Sequence, residues 1–201
     1  MKQARSILQV NVMTINKMKK QYSGFTLIEL IVTVSIVAIL VSIAAPSFRT
    51  MLENNRASAA TNEFVSALLL ARSEALKRRN NVSICTSIDQ NTCAGNGVTD
   101  FTSGWIVFQD CNANGIIENN VDCDGDLIPD NEAILKAQSE LIQLDIAKNG
   151  AIPDFFTYTF AGRSTAVSFN VTRKNTTTPI LTQIRTSLTG RIRTCKGVCP
   201  P

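Results

Sequence analysis

An apolar run dominates the first quarter of the chain. From Phe25 to Ala45 there are 21 residues with a single charge, Glu29, and the run ends at Pro46. At about 1.5 Å of rise per helical residue, such a run is long enough to cross a bilayer. Beyond Pro46 the pattern becomes a stripe. Ala57, Ala60, Phe64, Ala67, Leu68, Ala71 and Ala75 recur at spacings of three and four, with Arg56, Glu63, Arg72 and Glu74 between them. This period predicts a helix with one buried face. Lys77, Arg78 and Arg79 close the segment, where cations suit a helix C-terminus. A solvated helix end accounts for them without any binding role. Together the two patterns predict one helix from about Phe25 to Arg79, bent at Pro46.

After Arg79 the period shortens. Candidate strands are Asn81–Thr86, Gly104–Gln109, Ala133–Ala137, Leu141–Ile146, Phe155–Phe160, Ala166–Val171, Ile180–Ser187 and Arg191–Cys195. Clusters of Asn, Asp, Gly and Thr separate them, which predicts an antiparallel meander. A long helix laid across such a sheet is an α+β fold.

Charge is distributed unevenly. The formal net charge is +4. Residues 1–24 hold five basic groups and no acid, and residues 81–154 hold two basic and twelve acidic groups. Residues 155–201 hold seven basic groups and no acid. The middle is therefore acidic and the end basic, which says more than the overall balance. Histidine is absent. That removes the commonest general base and most zinc sites. No Ser or Cys nucleophile motif is present either, so an enzyme is not expected.

The cysteines are Cys85, Cys93, Cys111, Cys123, Cys195 and Cys199. An even count suits disulfides in an oxidising compartment. Proximity favours Cys85–Cys93, Cys111–Cys123 and Cys195–Cys199, each closing a short loop. Zinc is disfavoured because no Cys-x-x-Cys exists.

Lys17, Lys19 and Lys20 precede Ser23-Gly24-Phe25-Thr26-Leu27-Ile28-Glu29-Leu30. Lysines on that side hold it in the cytoplasm. A secretory signal cut near Ser42-Ile43-Ala44 is a poor alternative. The stretch is long, it contains an acid, and Pro46 crowds the site. An uncut anchor leaves the Gly-Phe-Thr-Leu-Ile-Glu string without a reason. That string closely resembles the signal of type IV pilins and type II secretion pseudopilins. The resemblance implies cleavage between Gly24 and Phe25 by a prepilin peptidase, with methylation of the Phe25 amine. It also implies that Glu29 neutralises the amine of a neighbouring subunit during assembly. A carboxylate in a membrane helix costs about 2.5–3.5 kcal/mol, and nothing within the helix itself calls for an acid there. Met18, or else Met13, would give a leader of more typical length than Met1.

A second set of residues narrows the resemblance. Gly104-Trp105-Ile106-Val107-Phe108-Gln109-Asp110, Asn112, Asn114-Gly115, Glu132-Ala133-Ile134-Leu135 and Gly190-Arg191-Ile192-Arg193 look like the H-type group, which holds the FimT and FimU minor pilins and the GspH pseudopilin. This implies a leader over 1–24, a transmembrane or filament-core helix over 25–45, an amphipathic continuation over 46–80, and a globular β domain over 81–201 with an acidic loop at 110–132. The expected role is a minor pilin that helps initiate or cap a type IV pilus. The alternative is an H-type pseudopilin of a type II secretion system. The implied location is the bacterial inner membrane, with the globular domain in the periplasm. The implied partners are other major and minor pilins, the peptidase and the inner-membrane assembly platform.

Two sites stand out. Asp110-x-Asn112-x-Asn114-Gly115 has the oxygen spacing that begins a calcium loop, and Asp122-x-Asp124-x-Asp126 is a second acidic cluster. A glutamate twelve residues into the first loop would complete the pattern, but that position is Val121. A turn made by Asn, Asp and Gly explains the first segment equally. The other site is basic. Arg191 and Arg193 lie on one face of a strand, and paired guanidiniums suit phosphates. In the FimT members of the group, a Gly-Arg-x-Arg motif at this place contributes to DNA binding during natural transformation. Gly190, Arg191 and Arg193 match it, and Lys196 is near. Double-stranded DNA is thus an implied partner through backbone contacts. The alternative is that the arginines pair with the acidic middle of the chain.

Overall fold

The computed structural model describes residues 24–95, 100–141, 144–149, 154–175, 177 and 179–200, apart from the side chain of Pro46. Residues 1–23 of the expected leader lie outside the described residues. The chain divides into two compact units, Met1–Pro46 and Ser47–Pro201. Helix α1 (Leu27–Arg78) is 52 residues long. Its first part belongs to the first unit, where the side chains from Phe25 to Ala45 are exposed. It is long and apolar enough to cross a membrane.

In the second unit, α1 buries the face that its spacing predicts. Ala57, Ala60, Phe64, Ala67, Leu68, Ala71 and Ala75 all belong to the core. The many alanines let the helix lie close against the sheets, and Phe64 is the large side chain among them. Its ring meets Phe169, Phe101 and Trp105 edge-on at centroid distances of 4.9, 5.1 and 5.2 Å. Such arrangements favour the quadrupoles of the rings and add about 0.5–1.5 kcal/mol each beyond area burial. Helix α1 ends at Arg78, and Arg79 takes a positive φ of 55°. The Arg78 Nε donates to Glu74 at 2.6 Å, and Lys77 lies 3.6 Å from the same carboxylate. Both cations are therefore partnered within the last turns of the helix.

The strands are β1 (Val82–Thr86), β2 (Gly104–Gln109), β3 (Asn119–Val121), β4 (Asp130–Asn131), β5 (Ile134–Ser139), β6 (Leu144–Asn149), β7 (Phe155–Tyr158), β8 (Ser168–Arg173), β9 (Thr182–Thr186) and β10 (Ile192–Lys196). All named pairings are antiparallel. They do not form the single meander that the sequence predicts. One four-stranded sheet runs β5-β2-β1-β7, a second runs β10-β9-β8-β6, and β3 and β4 form a small ribbon. Among the described residues, only β8-β9-β10 is a meander. Strand periodicity records which residues face inward but not which strand is the neighbour, so the split into two sheets was not readable. The ribbon β3–β4 carries no alternating signal: it is short, and all its residues except the half-buried Val121 are polar and exposed.

Candidate functional site

The N-terminal segment is built around a reciprocal cap. The Thr26 N–H and the Thr26 Oγ1 each donate to Glu29 Oε2 at 3.2 Å, and the Glu29 N–H donates to Thr26 Oγ1 at 3.3 Å. Thr26 is the residue before the first helical position, and Glu29 is the third residue inside. This is a capping box, in which two otherwise orphaned N–H groups find acceptors. The expectation that no role within the helix calls for an acid at Glu29 is corrected: the carboxylate caps its own helix. The cap is worth about 1 kcal/mol. The cost of a membrane carboxylate is about 2.5–3.5 kcal/mol, so the cap offsets only part of it.

The acidic loop is largely turned inward on itself. Asp110 is fully buried. Its carboxylate accepts from Ser83 Oγ at 2.5 Å, from the Asn114 N–H at 3.0 Å and from the Gly115 N–H at 2.9 Å. Asn112 Oδ1 accepts from the Asn114 N–H, and Asn114 Oδ1 accepts from the Ile116 N–H. Glu132, also buried, accepts from the Cys111 and Glu118 N–H groups at 2.8 and 2.9 Å. Burial pushes the Glu132 carboxyl above its ordinary value, against the pull of those two N–H groups. The oxygens of Asp110, Asn112 and Asn114 thus serve backbone turns. The carboxylates that do converge are Asp122, Asp124 and Asp126, whose oxygens lie within 4.8 Å of one another. All three are exposed, and each also accepts backbone N–H groups of its own loop. Asp110 is not part of that group.

The three favoured cysteine pairs are bonded in the structure. Cα–Cα distances are 5.6 Å for Cys85–Cys93, 5.0 Å for Cys111–Cys123 and 5.2 Å for Cys195–Cys199. Closing loops this short is worth about 2–3 kcal/mol each by loss of unfolded-state freedom. Cys111–Cys123 joins the turn at Asp110 to the loop of Asp122.

The basic C-terminal residues fall into two sets. Arg173 reaches Glu53 at 2.6 Å, and Lys174 reaches Glu140 at 2.7 Å. Those two cations are paired. Arg185, Arg191 and Arg193 have no ion pair among the described residues, and they line one groove of about 620 Å³ beside the Cys195–Cys199 loop. No Asp or Glu lines it. The backbone explains the grouping. Strands β9 and β10 pair with Arg193 directly opposite Arg185, and Ile192 opposite Thr186. Ile184 and Ile192 turn toward the core, so the alternate residues turn away from it. Lys196 is exposed and is not among the groove residues.

Gly190 has a structural task in this hairpin. Its φ is +72°, and a Cβ there would run into the Gly162 carbonyl oxygen and approach Arg72 Nε and Tyr158 at 3.1 Å. A left-handed backbone with no free space requires glycine. Arg72 of α1 donates through Nη2 to the Thr189 carbonyl at 2.9 Å, which ties the turn to the helix. The buried Tyr158 beside it has its hydroxyl pushed up to about 12, chiefly by burial. In the sequence Arg72 is one of the polar positions of the helix, since a contact 117 residues away leaves no local signal.

Comparison with known proteins decides the family. Residues 60–190 match the family model described as type II transport protein GspH. The chain belongs to the GspH family. Residues 19–45 match the prokaryotic N-terminal methylation motif. Among solved structures, this GspH-family chain is similar to the type IV minor pilin FimU of Pseudomonas aeruginosa, at 23% identity and a TM-score of 0.48, covering 70% of this chain and 89% of that one. It is also similar to the minor pseudopilin EpsH of the Vibrio cholerae type II secretion system, at 15% identity and a TM-score of 0.46, covering 74% and 99%. No curated protein matches the sequence. The chain is therefore a GspH-family protein that carries an N-terminal methylation motif and has a long N-terminal helix and antiparallel sheets.

Proposed function

We propose that this GspH-family chain is a minor pilin that helps initiate or cap a type IV pilus and binds double-stranded DNA through its β9–β10 hairpin. The groove carries this reading. Arg191 and Arg193 line it with no carboxylate among the lining residues, whereas Arg173 and Lys174 are paired with acids. Guanidiniums left without a counter-charge are suited to phosphates. Lys196, exposed on the same strand, adds to the local field. Cleavage falls between Gly24 and Phe25, and the methylated Phe25 amine is neutralised by Glu29 of a neighbouring pilin. Glu29 thus exchanges its contacts with Thr26 for that amine as the subunit leaves the membrane. Prepilin peptidase, the inner-membrane platform and other pilins are the partners, with the globular domain in the periplasm. A pseudopilin of a type II secretion system is the second reading, favoured by the description of the matching family.

Gene deletion separates the two. Loss of pili or of DNA uptake supports the first, and loss of exoprotein secretion with pili intact supports the second. The DNA component is tested by binding of duplex DNA at several salt concentrations. Arg191→Ala with Arg193→Ala is expected to weaken binding by at least tenfold and to flatten its salt dependence. Wild-type affinity in that double variant would exclude the motif.

A further inference from the structure

We propose that Arg185 is a third phosphate-binding residue, acting with Arg191 and Arg193 on the backbone of double-stranded DNA. This rests on the DNA reading above and extends it to a residue outside the Gly-Arg-x-Arg string. Arg185 belongs to β9, six residues before Arg191, and only the register of the hairpin brings it to the site. It stands directly opposite Arg193. Like charges facing each other across an antiparallel pair are destabilising. Neither guanidinium has an ion pair among the described residues, and no acid lines the groove. Elsewhere in the same basic stretch, Arg173 and Lys174 each meet a carboxylate. An anion entering the groove would supply the missing charge to both facing arginines at once.

Arg185 is also held in place. Its Nη1 donates to the Pro200 carbonyl at 3.1 Å. The tail bearing Pro200 is closed by Cys195–Cys199, and the Cys199 N–H donates to Gln183 Oε1 at 3.0 Å. One N–H of the fork is committed to the tail. A guanidinium carries five, so donors remain for phosphate oxygens.

The test uses the full chain in non-ionic detergent with its disulfides intact. Binding to a mixed-sequence DNA duplex is followed by fluorescence anisotropy across a salt series, and the melting of the DNA-free protein is recorded. Arg185→Gln is expected to weaken binding several-fold and to reduce the slope of log affinity against log salt by about 0.9, the value for one lost phosphate contact. Its melting temperature at low salt should stay level or rise, because a like-charge pair is removed. Arg185→Lys should keep the slope and lose part of the affinity, since the charge remains and the fork does not. Wild-type affinity and slope in Arg185→Gln, beside loss of binding in Arg191→Ala with Arg193→Ala, would overturn the role of Arg185 alone. Weaker binding with a lower melting temperature and an unchanged slope would make Arg185 a support for the tail, which also overturns it. No binding by the wild-type chain would remove the DNA reading itself. Should Arg185→Gln fail to fold, Arg185→Lys decides: wild-type affinity there overturns the proposal.

Discussion

The acidic loop and the basic hairpin carry opposite charge, and the fold treats them in opposite ways. In the loop, most carboxylates are drawn onto the chain's own N–H groups. Asp110 and Glu132 are buried and satisfied, and Asp122, Asp124 and Asp126 organise the turns around them. In the hairpin, Arg185, Arg191 and Arg193 line an open groove with no acid. The geometry of the groups explains much of this. A carboxylate is a compact acceptor on a short stem, and backbone turns offer N–H donors close by. A guanidinium is a long, donor-only fork, and a β-hairpin whose carbonyls are engaged in the ladder offers it few acceptors. The acids of this loop build structure, while the three arginines line a groove that holds no carboxylate.

Mutations at the two regions should therefore differ in kind. Asp110→Ala is the strongest challenge. It removes three hydrogen bonds to a buried carboxylate and leaves the Gly115 N–H without an acceptor, while Ser83 Oγ keeps Thr157 and the Asn114 N–H keeps Asn112. Hydrogen bonds to charged groups contribute about 1.5–3 kcal/mol each, so a loss of about 3 kcal/mol or more is expected in chemical denaturation. A loss below 1 kcal/mol would show that the loop does not depend on its acids. Gly190→Ala comes next, at about 2 kcal/mol, because the Cβ would collide with the Gly162 carbonyl at a positive φ. DNA binding should fall with it, since the turn that sets Arg191 moves.

Glu132 gives a pH signature. Its pKa is raised in the folded chain, so the native state holds its proton more tightly than the unfolded state. The associated stability is fully present below the ordinary glutamate value of 4.5 and declines as pH rises through the raised one. Glu132→Gln should abolish that decline, read as unfolding midpoints between about pH 4 and pH 7. An unchanged pH slope would remove Glu132 as its source. The smallest effect belongs to the partly exposed Arg173–Glu53 pair. A double-mutant cycle should give under about 1 kcal/mol, and Arg173→Ala should leave DNA binding near wild type. A large loss of binding there would erase the distinction between paired and unpaired cations.

The long helix was legible because its two apolar patterns are periodic and continuous. Each of the seven stripe residues from Ala57 to Ala75 lies in the core. Most strands were found to within two or three residues for the same reason. The sheet arrangement was not, because alternation along β6 or β8 does not name the partner strand. The capping box is written in the sequence as Thr26-x-x-Glu29, within apolar surroundings where an acid carries a membrane cost.

Sequence by itself determined the apolar N-terminal run, the amphipathic face of α1, the short cysteine loops and the family to which the chain belongs. These depend on residues close together in the chain, where spacing alone fixes which side chains share a face. Only the tertiary structure decided which charges are available. Arg173 meets Glu53 across 120 residues, Arg72 reaches Thr189 across 117, and Arg185 faces Arg193 through the register of one hairpin. Coulomb interactions and hydrogen bonds depend on separation in space, and the fold sets that separation.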